Sequence, residues 1–316
     1  MTRTTRGRPP AAETDVMTRA GVTTATAQPG GPAQPPAVLP ALDLHIAGRS
    51  ECGRRANNED RFLAVRLDRE TTPVATNIPA GDLRFVPFQT FWALAVADGM
   101  GGHAAGEIAS TLALSRALEV SQQGSQWFVS IGEAEVQLIL KRLESILASA
   151  DYVVSEQGAA HSELAGMGTT LTAAAAAGDC LFVCHVGDSR LYLIRGGALT
   201  RLTRDHTMAQ ALVDAGVLEE DETKGHPGSH VLTRVIGRGD ADFDLRVVRL
   251  QQGDRLLLTT DGVTDALSDA DIGRLASGGE CTQASDGIID RALEAGASDN
   301  VTVLVADVEL HDASST

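Results

Sequence analysis

TTLTAAAAAGDCLFVCHVGDSRLYLIRGGALTRLT, residues 169–203, decides the fold. Its apolar runs are short and are cut by glycine at 178, 187 and 196–197, the pattern of three or four antiparallel strands joined by tight turns at Gly178-Asp179 and Gly196-Gly197. Working outward, strand-like runs recur near 43–48, from 61 (RFLAV), at 91–97 (FWALAVA), and at 245–250, 255–260 and 301–310. Helical spacing of Ile108, Leu112 and Leu118 predicts a helix opening near Ala104. A second, over 131–157, carries Ile139, Leu140, Leu143, Ile146, Leu147 and Val154 on one stripe, and further helices are expected around 208–216 and 283–295. Residues 68–90 read as a surface loop or irregular hairpin. Two helices after early strands, then a meander, then helix and strand again, do not alternate as a doubly wound sheet would. The order predicts an α+β sandwich of two mostly antiparallel sheets with helices outside.

Four aspartates stand beside these runs. Asp98, Asp188 and Asp261 close strand-like segments, and Asp299 opens one, each within a turn bearing glycine or asparagine (DGMGG, GDSR, TDG, SDN). A lone aspartate there is an ordinary turn residue bonding to nearby backbone. Four delivered to one rim are different, because two carboxylates about 4 Å apart repel by roughly 4 kcal/mol at an effective dielectric near 20. Such a cluster calls for divalent cations, and hard oxygen ligands suit Mg²⁺ or Mn²⁺.

The chain has 316 residues and a net charge of -16, which argues against nucleic acid as a partner. Residues 1–42, rich in Thr, Ala, Gly and Pro, are expected to form a disordered leader, because they cannot bury enough apolar surface to offset ordering entropy. The remainder, 43–312, is expected to be one large β-rich domain. The N-terminal arginines precede no apolar signal core, Glu13 and Asp15 argue against an organellar address, and no window approaches a membrane span. A cytoplasmic protein free of the membrane is expected. Cys52, Cys180, Cys184 and Cys281 lack C-x-x-C spacing and read as thiols, mostly buried. Gly99-x-Gly101-x-x-Ala104 matches a dinucleotide fingerprint, but a helix-like stretch follows where a second strand ending in an acid is required.

Seven short motifs occur in order: RANNED (55–60), DGMGGH (98–103) followed by Gly106-Glu107, GTT (168–170), GDSR (187–190), LTRDH (202–206), TDG (260–262) and SDN (298–300). Together they resemble the bacterial branch of the type 2C metal-dependent protein phosphatases, over roughly 43–310. The resemblance implies a four-layer α-β-β-α sandwich, a centre of two Mn²⁺ or Mg²⁺ ions with a weaker third, and hydrolysis of phosphoserine and phosphothreonine in proteins. It implies Asp98 as the bridge between two ions with the Gly99 carbonyl completing one. Asp261 and Asp299 would hold the other, Glu59 would act through water with Asp60 nearby, and Asp188 would hold the third. Arg55 would bind the substrate phosphate, and His103 is a candidate proton donor to the leaving group. His230 falls where a backbone ligand is expected, and His206, at the base of a flap over 204–230, is expected to make a structural hydrogen bond. Implied partners are phosphorylated proteins and a bacterial Ser/Thr kinase that the chain opposes, and the expected state is a monomer. A catalytically inactive binding module of the same family and a dinucleotide-binding oxidoreductase are the alternatives.

Overall fold

The computed structural model describes residues 16–18, 40–79, 88–101, 105–122 and 131–311. The meander read from 169–203 is present as β6 (Leu171–Ala177), β7 (Cys180–Val186), β8 (Arg190–Arg195) and β9 (Ala198–Arg201). It does not lie in one sheet. β6 and β7 pair with each other, as do β8 and β9, but the chain crosses from one sheet to the other at Gly187-Asp188-Ser189. Gly187 has φ +107, and a Cβ there would lie 2.5 Å from the Thr170 side chain, so the crossing needs glycine.

The remaining strands are β1 (Val16–Thr18), β2 (Ala41–Glu51), β3 (Asp60–Glu70), β4 (Phe88–Met100), β5 (Gly168–Thr169), β10 (Asp244–Arg249), β11 (Arg255–Thr259) and β12 (Val301–His311). Among the described residues they complete a seven-stranded sheet in the order β1-β10-β7-β6-β4-β3, with β5 on β4, and a five-stranded sheet in the order β2-β12-β11-β8-β9. Every strand pairing is antiparallel. Period-2 alternation in both sheets sends Leu94, Val96, Leu181, Val183, Leu256 and Leu258 into the space between them.

Helices cover the outer faces. α1 (Ala105–Gln122) and α2 (Glu133–Ala160) pack on the seven-stranded sheet, and Ala105, Ala109 and Ala113, one turn apart, let α1 lie close. α4 (Asp261–Ala266), α5 (Asp269–Ala276) and α6 (Cys281–Glu294) pack on the other sheet through Val263, Ile272, Ile288 and Ile289. α3 (Met208–Asp214) lies in the 204–230 segment, with its N-cap Thr207 hydroxyl accepting from the Gln210 amide. This is the α-β-β-α sandwich.

Three expectations change. Residues 16–18 of the leader form a strand on β10, so these three are ordered backbone; most of 1–42 lies outside the described residues. β4 runs through Asp98 to Met100, so Asp98 sits inside a strand, where β5 pairing prolongs the ladder. β11 stops at Thr259, and Asp261 opens a helix. The cysteines behave as expected: all four are free thiols and three are buried.

Candidate active site

β3 and β4 place Asp60 directly opposite Asp98, and the β7–β8 crossing, the start of α4 and the start of β12 bring Asp188, Asp261 and Asp299 to the same end of the sandwich. Asp60 is 2% exposed; its Oδ2 accepts from the hydroxyls of Thr260 and Thr302, each at 2.7 Å, on the opposite sheet's side. Burial, opposed by those two hydrogen bonds and reinforced by Asp261 and Asp299, raises its pKa to about 7. Burial and the neighbouring Asp60, Asp261 and Asp188 carry Asp98 well above the carboxylate range. Asp261 is raised to about 6, first by burial and then by Asp265, and Asp188 rises through burial and repulsion from Asp261. Asp98 and Asp261 lie near enough to perturb each other's titration.

The backbone around them is fixed by the short motifs. The Asp98 amide donates to Thr170 Oγ1 at 2.9 Å, and its carbonyl accepts from the Thr170 amide and the Thr169 hydroxyl. Thr170 Oγ1 in turn lies 2.7 Å from Ser189 Oγ, tying the Asp98 strand to the Asp188 turn. His206 clamps that turn from both sides: its amide donates to the Gly187 carbonyl and its Nδ1 accepts from the Gly187 amide. The Arg of GDSR and the Asp of LTRDH pair, with Arg190 Nη2 2.7 Å from Asp205 Oδ2. Asn300 accepts the Glu59 amide at 2.8 Å and donates to the carbonyls of Cys52 and Asn57.

Gly99 and Gly106 touch backbone to backbone. A Cβ on Gly99 would lie 2.0 Å from the Gly106 carbonyl oxygen, and one on Gly106 would lie 2.7 Å from both Glu59 Oε2 and the Gly99 carbonyl oxygen. Two oxygen donors thus converge where no side chain intervenes. Glu59 is raised by burial, against the pull of Arg55. Arg55 is exposed, and its Nη2 donates to Asp299 Oδ2 at 2.6 Å.

Among the described residues, Asp60 Oδ1 and Asp261 Oδ1 are buried without a hydrogen-bond partner. Buried carboxylate oxygens are normally satisfied, so unpaired ones aimed into a cluster of acids fit a hard divalent cation. Of the expected residues, Arg55, Glu59, Asp60, Asp98, Gly99, Asp188, Asp261 and Asp299 are brought together, and His103 lies outside the described residues.

One unanticipated carboxylate joins them, beside the His230 named above. Asp265, on α4 one turn after Asp261, and His230, 3.6 Å from Asp265, place one potential ligand atom each within 4.8 Å of one another and of Asp261. Asp265 was visible in DGVTD only to a reader who knew that 261–266 is helical.

The protein phosphatase 2C family model matches residues 76–277. The chain belongs to the protein phosphatase 2C family. It is 36% identical over 275 residues to the serine/threonine protein phosphatase PstP of Mycobacterium tuberculosis (strain ATCC 25618 / H37Rv), covering 86% of this chain and 46% of PstP. It therefore spans less than half the length of that relative. It is 34% identical over 274 residues to the serine/threonine phosphatase stp of Listeria monocytogenes serotype 4b (strain F2365), covering 84% of this chain and 97% of that one. Among solved structures, M. tuberculosis PstP/Ppp superposes with a TM-score of 0.68 at 35% identity, covering 84% of this chain and 99% of that chain. The PstP catalytic domain in complex with two manganese ions gives 0.66 at 34% identity, over 85% and 100%. Against this protein phosphatase 2C background, Gly99 of DGMGG serves close backbone approach to Gly106 rather than a dinucleotide.

Proposed function

We propose that this chain hydrolyses phosphoserine and phosphothreonine in proteins, using Mn²⁺ or Mg²⁺ held by its acidic cluster. The observation that supports this best is the convergence of Asp60, Asp98, Asp188 and Asp261 from both sheets, with two buried carboxylate oxygens left unpaired. Asp98, the Gly99 carbonyl, Asp261 and Asp299 would hold two cations, Glu59 and Asp60 would support them, and Asp188 would hold a weaker third. When bound, such cations acidify water and shield charge on the phosphoryl oxygens.

The chain's own groups supply the rest. Arg55 offers a fork of donors that matches a tetrahedral oxyanion, and its exposed guanidinium can exchange Asp299 for substrate phosphate. Thr169 and Thr170 hold the Asp98 backbone, and the Thr260 and Thr302 hydroxyls orient Asp60, so the carboxylates are aimed before substrate arrives. The 204–230 segment, acidic at Glu219–Glu222, borders the site through His230 and is where substrate choice would reside. A Ser/Thr kinase whose products this chain dephosphorylates is the partner that the reading implies.

The test is Mn²⁺-dependent hydrolysis of p-nitrophenyl phosphate and of a phosphothreonine peptide, with and without EDTA. Asp98→Ala is expected to lower turnover on the order of a thousandfold or more, rather than only raise KM. Near-normal turnover by that variant would overturn the assignment.

A further inference from the structure

We propose that the chain binds a free medium-chain monocarboxylate in a cavity between the α1–α2 layer and the seven-stranded sheet, a site separate from the acidic cluster. The cavity holds about 310 Å³, whereas protein interiors leave few voids larger than a water molecule.

The sequence explains the space. β6 carries Ala173–Ala177 without interruption, and alternation sends Ala174 and Ala176 toward the inter-sheet core and Ala173 and Ala175 toward the helices. Across the ladder Ala95 faces Ala173 and Ala93 faces Ala175, so four alanines form a flat floor where larger side chains would fill the layer. Leu63, Val65 and Leu67 of β3 wall one side. Leu114, Ala117 and Leu118 of α1, with Leu143 and Ile146 of α2, form the roof. A slot with such apolar walls favours an apolar occupant over water.

One end is different. Besides the Cys184 thiol, Ser121 and Arg142 are the polar residues of the lining, and Leu138, one helical turn before Arg142, is 49% exposed. Among the described residues Arg142 Nη2 donates to the Val120 carbonyl at 2.6 Å, and the side chain has no carboxylate partner. An exposed leucine beside a guanidinium that meets no carboxylate among the described residues, at the edge of an apolar slot, matches an alkyl chain ending in a carboxylate: the chain lies on the alanine floor and the head meets Arg142.

The full chain would be titrated calorimetrically with decanoate and with decanol. Saturable one-site decanoate binding, tighter than decanol, is expected. Ala173→Leu and Ala117→Leu each fill the slot; both should fold with an unchanged or higher Tm and bind decanoate at least about tenfold more weakly. Arg142→Gln should weaken decanoate roughly fivefold, as fits an exposed ion pair, and leave decanol unchanged. No saturable binding, or undiminished binding by both filled variants, would overturn the proposal. So would binding that emerges only in Trp127→Ala/Phe128→Ala, since the chain's own 123–130 segment would then be the occupant. Equal affinity for decanoate and decanol would overturn the carboxylate assignment.

Discussion

Asp60 and Asp98 face each other across neighbouring strands, where like charges destabilise a sheet. A sequence keeps that arrangement where something uses the charge, and the two unpaired oxygens of the cluster mark the use. The carboxylates are not equivalent. Asp188 comes from the turn that crosses between sheets, and its charge meets that of Asp261 first, whereas Asp98 feels the charges of Asp60, Asp261 and Asp188 alike. Asp188→Asn is therefore expected to retain measurable turnover with a raised Mn²⁺ requirement, and Asp98→Asn to be silent; equal losses in a Mn²⁺ titration would refute that ranking. The acids were legible because turn motifs announce them. The threonines that orient Asp60 were not, since a hydroxyl inside a strand run reads as alternation until the partner strand is known. A titration bears on the buried polar layer beneath. Burial, with His206 adding to it, lowers the His185 pKa to about 3, against the pull of Asp205 and Asp244. Its ring bonds to Thr172 Oγ1 and the Arg204 carbonyl, each at 2.9 Å. Below an unfolded-state pKa of about 6.5 the unfolded chain takes up a proton that the native state refuses, so stability present above that pH is lost as pH falls toward about 3. The loss should reach about 2 kcal/mol by about pH 5. His185→Gln should flatten the urea midpoint against pH over that window, and parallel curves for the two proteins would refute the assignment.

Strands β6 to β12 lie within a residue or two of where alternation and turn glycines put them, because those cues are local. α4 and α5 went unread: six and eight residues are too short to show a period, and the Thr260-Asp261-Gly262 turn masks the first. Nor could periodicity show that β7 and β8 belong to different sheets, since pairing is a long-range choice. The start of α1 lies close against the start of β3 and the end of β4. Ser110 Oγ donates to the Glu59 carbonyl at 2.6 Å, Arg61 pairs with Glu107 at 2.7 Å, and Gly106 has no room for a Cβ. Alanine at 106 gains about 1 kcal/mol of helix propensity, but its methyl would push Glu59 and the Gly99 carbonyl apart. Gly106→Ala is expected to change Tm by only a few degrees while weakening Mn²⁺ binding by at least about tenfold, roughly 1.4 kcal/mol. Calorimetric titration would show it, and an unchanged Mn²⁺ affinity would mean that neither oxygen lies near the ion.

At the scale of the whole molecule, the two sheets share one apolar interior, and the carboxylates lie where their edges meet. One polar tie there is Asp60 of the seven-stranded sheet bonded to Thr260 and Thr302, which flank and begin the β11 and β12 segments of the other; the Glu59 amide bonded to Asn300 is another. Asp98 belongs to the first sheet, while Asp261 and Asp299 are attached to the second. A cation held jointly by these acids would link the sheets by bonds that exist only in the native state, and ligands of that kind suppress local as well as global opening. Hydrogen exchange read by mass spectrometry, with and without Mn²⁺, should therefore show slowed exchange at 96–101 and at 259–263 and 299–303 together. The far ends of the same strands, near 88–92 and 308–311, should be unaffected. Asp98→Ala should remove the protection on both sheets, including the one that does not carry residue 98, because the link fails as a unit. Protection confined to one sheet, or surviving in Asp98→Ala, would mean that the metal is not held between them and that the acidic cluster serves some other end.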